Sequence, residues 1–138
     1  MPTTNTTVWV NGCFDILHRG HIELLAYAKS LGDKLVVGLD TDERVKEIKA
    51  SDRPFNCLDD RICVMKSIRY VDEVVYFNTD NELENMIKSY SPAVMVVGSD
   101  WEGKKIVGGQ WATKIAFFDR VGDHSTTRIL ENNNGLCI

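Results

Sequence analysis

No apolar stretch in this sequence approaches the ~20 residues a helix needs to cross a bilayer. Residues 1–7 carry only polar, apolar or neutral side chains and lack the basic-then-apolar order of a secretory leader. The expectation is a cytoplasmic protein with no membrane partner. Basic residues are also short: 16 Lys and Arg stand against 20 Asp and Glu, for a formal net charge of −4. A general binder of nucleic acid or anionic lipid would show a basic surface, so neither partner is expected. A local basic site for phosphates is still allowed. The four cysteines, Cys13, Cys57, Cys63 and Cys137, are scattered and form no Cys-x-x-Cys pair. That argues against a disulfide framework and against structural zinc, and no protein-held metal is expected.

Repeats, low-complexity segments and linkers are likewise missing. The 138 residues, 43% of them hydrophobic, fit one domain over the whole chain, 1–138, with one core. The core is expected at about 7–131, followed by a loose tail at 132–138.

Strand-like and helix-like segments alternate throughout. Residues 7–11 (TVWVN) read as a first strand closed by Gly12. Residues 21–31 (HIELLAYAKSL) carry Ile22, Leu25, Ala26 and Ala28 at helical spacing, with Gly32 as a C-cap. Residues 34–39 (KLVVGL) are nearly all apolar, as a parallel strand buried on both faces is. Thr41 offers an N-cap for a short helix at 42–49. A polar loop at 50–56 precedes a helix at 58–70, with Leu58, Ile62, Met65 and Ile68 on one face. Strands are expected at 72–77, 93–97 and 114–118, and helices at 81–90 and 125–131, the last capped by Ser125. The five strands and their helices imply an α/β three-layer sandwich around a mainly parallel sheet. Ligands in such sheets sit at the C-terminal strand ends, where the strand order switches. The loops to inspect are therefore 12–20, 40–56, 98–109 and 119–127.

The first of these runs Asn11-Gly12-Cys13-Phe14-Asp15-Ile16-Leu17-His18-Arg19-Gly20-His21. Its second histidine opens a helix, and a helix N-terminus with free N–H groups and a partial positive charge attracts phosphate. His18 and His21, three apart, can lie on one side of that turn. Gly20 between them removes a side chain where a phosphate would approach. A lone histidine at a helix start is usually a cap; two around a glycine after an apolar strand are far more specific.

This segment resembles the G-x-F-D-x-x-H-x-G-H signature of cytidylyltransferase-like nucleotidyltransferases. Ser125-Thr126-Thr127 resembles the S-T-T before that family's last helix, and the likeness spans about 8–130. It implies a Rossmann-like fold. It also implies transfer of a nucleoside monophosphate from a triphosphate to a phosphorylated sugar or polyol, with release of pyrophosphate. The α-phosphorus is attacked in line with no covalent enzyme intermediate, so catalysis is positioning and charge stabilisation.

The resemblance assigns catalytic roles to His18, His21 and Lys46. It places the nucleotide on Gly12, Cys13, Phe14, Asp15, Gly20, Gly98, Asp100, Trp101, Arg120, Ser125, Thr126 and Thr127. It places the acceptor near Lys49, Arg53, Arg61 and Asp72. Lys46 is preferred over Lys49 as the phosphate-binding lysine, although relatives often have glycine where this chain has Ala50. Orientation of the loop is a second role for Asp15, and a structural ion pair a second role for Arg61. Mg²⁺ is expected to accompany the triphosphate, and a homodimer is implied.

Two substrate pairs compete. Arg53-Pro54-Phe55-Asn56 resembles the R-P-x-N stretch of heptose-1-phosphate adenylyltransferases, which use ATP, and residues 106–109 (IVGG) lean the same way. Asp100-Trp101-Glu102-Gly103-Lys104 resembles D-W-E-G-K of glycerol-3-phosphate cytidylyltransferases, which use CTP. A sugar-1-phosphate acceptor is preferred. A non-catalytic nucleotide-binding module is the contrasting reading, and the intact histidine and S-T-T motifs weigh against it. A metal site built from Cys13, His18 and His21 is a third. Class I aminoacyl-tRNA synthetases share a similar histidine signature, but this chain is too short and acidic for their other parts.

Overall fold

A computed structural model of the protein describes residues 6–119. The expected helix at 125–131, the tail, and Arg120, Ser125, Thr126 and Thr127 lie outside the described residues. Five strands form one sheet: β1 (Thr7–Gly12), β2 (Lys34–Asp40), β3 (Glu73–Phe77), β4 (Val94–Gly98) and β5 (Lys114–Phe118). The order is β3-β2-β1-β4-β5 and every neighbouring pair is parallel. The four helices are α1 (Arg19–Ser30), α2 (Asp42–Ile48), α3 (Leu58–Lys66) and α4 (Asp80–Tyr90). The parallel sandwich anticipated from the strand–helix alternation is therefore present. Among the described residues no helix is long and apolar enough to cross a membrane.

Strand alternation divides the core between the two faces of the sheet. Val8, Val10, Leu35, Val37 and Leu39 pack with Leu25, Ala28 and Met65 of α1 and α3. Trp9, Val36, Phe77 and Met95 pack with Leu83 and Ile87 of α4. A sheet covered on both faces must have apolar residues at successive positions, which is why residues 35–39 show no polar alternation.

Element ends shift by a few residues from the sequence reading, for identifiable reasons. Helix α1 starts two residues early because His18, not a later residue, is its N-cap. Helix α3 stops at Lys66 rather than residue 70. Its chain leaves through turns closed by the N–H of Ile68 on the Met65 carbonyl and that of Val71 on Ile68. Thr41 caps α2 as expected, with its side chain accepting from the Arg44 N–H.

The switch in strand order lies between β1 and β4, since α1 and α3 pack on one face of the sheet and α4 on the other. These two strands pair at Val8 with Val94 and at Trp9 with Met95. Their ends beyond, residues 10–12 and 96–98, flank a crevice of the kind in which such folds bind ligands.

Candidate functional site

A cavity of about 570 Å³ opens at this crevice. Its polar lining comes from Asn11, Cys13, Asp40, Arg44, Lys49 and Asp80, and its apolar wall includes Leu83, Met95, Val97, Ile106 and Val107. Trp101, half exposed, stands among the lining residues together with Gly98. Three of the four loops chosen from the sequence thus meet in one place.

Beside it, the loop after β1 turns into α1. His18 is the N-cap, and its Nδ1 accepts the Gly20 N–H at 3.1 Å. The N–H of His18 in turn donates to Nδ1 of His21 at 3.2 Å. This reciprocal pair is a capping box built from imidazoles instead of a hydroxyl and a carboxylate. Accepting at Nδ1 leaves Nε2 as the nitrogen that carries hydrogen on each ring. Burial, then His18, then Lys49 lower the His21 pKa from its ordinary value to about 4, so His21 is a neutral donor at pH 7. Glycine at position 20 joins this box through its main chain.

Two predicted nucleotide contacts are absorbed by the framework. Phe14 is buried, at a positive φ of 48°, and its ring lies 5.2 Å from that of His21. It supports the imidazole from behind and offers no open face. Asp15 is also buried. Its carboxylate accepts the N–H groups of Phe55 at 2.6 Å and Asn56 at 2.7 Å, and Arg53 Nε lies 3.5 Å away. The Asn56 amide closes the clasp on the Asp15 carbonyl at 3.0 Å. Asp15 therefore fastens the 53–56 loop to the histidine loop, the structural role that the sequence left open.

The acceptor residues need more correction. Arg61 is 1% exposed. Its guanidinium donates to the carbonyls of Asn56, Cys13 and Asp40 and pairs with Asp42 at 2.7 Å. Every one of its nitrogens is engaged within the protein and four of its five N–H donors are used, so Arg61 holds the loops together and, buried, does not face a substrate phosphate. Asp72 precedes β3, and its carboxylate binds Lys29 and the N–H of Leu35 at the start of β2. In an all-parallel sheet that is the edge opposite the cavity, so Asp72 is remote from the site. Lys46 and Lys49 are both exposed, but only Lys49 lines the cavity and acts on the His21 charge, which favours Lys49, the reserve of the two. Arg53 stays near the site, paired only with Asp15 among the described residues.

The remaining expected positions do converge. Gly12, Cys13, Gly98 and Trp101 all line the cavity. Asp100 folds back over Gly98, where a Cβ would come within 2.7 Å of its carboxylate oxygen. Burial pushes the Cys13 thiol up, so it is a neutral lining group. Cys13, Cys57 and Cys63 are free thiols. Among the described residues no group of three or more His, Cys, Asp or Glu is arranged to hold a metal ion.

Sequence reasoning missed Asn11, Asp40, Arg44 and Asp80. Arg44 bridges two carboxylates, Asp40 at 2.8 Å and Asp80 at 2.7 Å, and lies 5.2 Å over the Phe77 ring. The Asp40 carboxyl is raised by burial, with Arg44 opposing. The i, i+4 spacing of Asp40 and Arg44 was a usable signal; Asp80, on a distant helix, left none.

A family model described as cytidylyltransferase-like matches residues 9–132. Among curated proteins, Bifunctional protein HldE of Campylobacter fetus subsp. fetus is 45% identical over 94% of this chain and 28% of its own length. Bifunctional protein HldE of Helicobacter hepaticus is 42% identical over 91% of this chain and 26% of its own. The chain thus spans about a quarter of the curated relatives it matches. Among solved structures, the lipopolysaccharide core biosynthesis protein from Thermoplasma volcanium superposes with a TM-score of 0.66 at 22% identity, over 88% of this chain and 100% of that one. Pantoate-beta-alanine ligase from Francisella tularensis gives 0.61 at 15% identity, over 97% and 71%. At these identities the likeness is one of fold.

Proposed function

The chain belongs to the cytidylyltransferase-like family, and on that premise we propose that it transfers a nucleoside monophosphate from a nucleoside triphosphate to a sugar 1-phosphate. The observation that carries this reading is the imidazole capping box at the start of α1, on the same loop whose first residues, Gly12 and Cys13, line the switch-point cavity. In it both Nδ1 atoms are occupied by main-chain N–H groups. Each Nε2–H then serves as a fixed donor at a helix N-terminus, where phosphate oxygens are favoured.

In the reaction an oxygen of the acceptor phosphate attacks the α-phosphorus. One P–O bond forms as the bond to pyrophosphate breaks, and pyrophosphate departs. His18 and His21 stabilise the charge that grows on the phosphoryl and leaving oxygens. Lys49 adds a positive charge from the far side of the loop. Trp101 offers a flat ring for the base, and Arg53, held beside Asp15, is the arginine assigned to the acceptor. Mg²⁺ supplies further charge neutralisation on the triphosphate. The nearest cavity carboxylates, Asp40 and Asp80, are both engaged by Arg44, which suits an ion carried mainly by phosphate oxygens.

ATP with heptose 1-phosphate is the preferred pair, on residues 53–56 and on the likeness to the HldE proteins over most of this chain. CTP with glycerol 3-phosphate is the second reading, favoured by residues 100–104. A cytoplasmic homodimer completes the proposal. The test is a pyrophosphate-release assay with Mg²⁺ that crosses ATP, CTP, GTP and UTP with both acceptors. Turnover with ATP and heptose 1-phosphate is expected. Turnover only with CTP and glycerol 3-phosphate would establish the second reading. Nucleotide binding with no turnover in any combination would leave a binding module.

A further inference from the structure

We propose that Asn11 reads the hydroxyl-bearing part of the acceptor sugar, and that Trp9 is the residue that positions it. The inference rests on the sugar-phosphate reading above and deepens it.

Trp9 is fully buried in the central strand. An indole N–H can only donate, and a buried one needs an acceptor. It finds the Asn11 Oδ1 at 2.8 Å, two residues along the same face of β1. That contact settles which way the amide is turned, because the oxygen must face the indole. The NH₂ group is left to point away from Trp9, and Asn11 lines the cavity. The floor of the cavity therefore presents a fixed double donor. The arrangement needs a third residue. Gly38 lies directly opposite Asn11 in the parallel register. A Cβ there would come within 2.7 and 2.9 Å of the Trp9 ring, so only glycine lets the indole lie across β2.

The polar wall around Asn11 says what the donor meets. Donors from Arg44 and Lys49 alternate with the carboxylates of Asp40 and Asp80. A sugar fits, since each hydroxyl both donates and accepts. Facing this wall are Leu83, Met95 and Val97, which suit the apolar face of a pyranose. The flat exposed ring of Trp101 leaves the base a separate place.

The experiment uses Trp9→Phe, which keeps an aromatic ring and removes the donor, and Asn11→Asp, which keeps size and replaces the donor by an acceptor. KM is measured for the sugar phosphate at saturating nucleotide, and for the nucleotide at saturating sugar phosphate, beside thermal melting. A site built to hydrogen-bond a hydroxyl loses heavily when the partner is missing. Each variant is expected to raise KM for the sugar phosphate by about 10-fold or more and to move KM for the nucleotide less than about 2-fold. A deoxy-sugar phosphate should lose less in Asn11→Asp than in the wild type, because the contact is already gone. If KM for the nucleotide rises instead, Asn11 reads the nucleotide and the proposal is wrong. If neither KM moves while the melting temperature falls, Asn11 merely satisfies the indole, and the proposal is wrong. Asn11→Asp decides the matter alone if Trp9→Phe does not fold. A wild-type protein that turns over no sugar phosphate would sink the function itself, an outcome visible before any variant is made.

Discussion

The imidazole rings of His18 and His21 stack with centroids 3.9 Å apart and planes 29° from parallel, tied by the main-chain hydrogen bonds that begin α1. In the proposed reaction one pair of side chains thus both starts the helix and supplies the donors. Stability and catalysis are mixed at His18, and replacement by alanine removes both. The cap loss is worth about 1 kcal/mol. Loss of a preorganised donor lowers turnover about 100-fold or more. His18→Asn separates them, since its side-chain oxygen can still accept the Gly20 N–H. The expected outcome is near-wild-type melting for His18→Asn with turnover as low as that of His18→Ala. Turnover within fivefold of wild type in His18→Asn would make the histidine a cap only.

Acid should weaken the fold through His21. Its folded pKa is about 4, below the unfolded value of about 6.5. Between these values the unfolded chain binds the extra proton, so stability rises with pH across that window. The contribution is fully present above about pH 6.5 and is lost as pH falls toward 4, by at most about 3 kcal/mol. Urea unfolding of wild type and His21→Gln at pH 5 and pH 7.5 tests this. The wild type should lose more stability on acidification than the variant. Equal losses would mean that His21 titrates normally.

Arg61 should behave as a framework residue. Its replacement by methionine leaves three carbonyls and Asp42 without their donor, and losses from broken buried polar networks run to about 3–5 kcal/mol. The variant is expected to melt far below wild type. Arg61→Lys should recover only part of the loss, because one ammonium cannot reach four acceptors. A variant that keeps its melting temperature but loses affinity for the acceptor would return Arg61 to the substrate phosphate.

The contrast between Arg61 and His18 shows where sequence reasoning stops. The strands at 34–39 and 93–97 were legible because a doubly covered parallel strand must be apolar on both faces. The histidine loop was legible because imidazoles, a glycine and an apolar strand fell together within a few residues, although the helix begins two residues before the expected start. The direction of a long side chain is set by other elements. Arg61 turns inward because carbonyls from three separate loops converge on it, and nothing near position 61 records that. Asp72 is similar: its position before a strand, at the edge opposite the ligand crevice, follows from the all-parallel topology. Asn11 was passed over because its partner, the Trp9 indole, looks like ordinary core until the burial of its N–H is known.

The two lysines of α2 give the sharpest test of the site as built. Lys46 and Lys49 are three residues apart and both exposed, yet only Lys49 lines the cavity. A charge away from the site is screened and contributes little, whereas a lysine on the cavity wall acts where phosphoryl charge develops. Lys49→Ala should therefore lower kcat/KM by about 10-fold or more, and Lys46→Ala by less than about 2-fold. Lys49→Ala also removes a positive charge that holds down the His21 pKa, so that pKa should rise in the variant, as read by the imidazole NMR shift against pH. A large loss in Lys46→Ala with none in Lys49→Ala would mean that α2 turns its other face to the triphosphate.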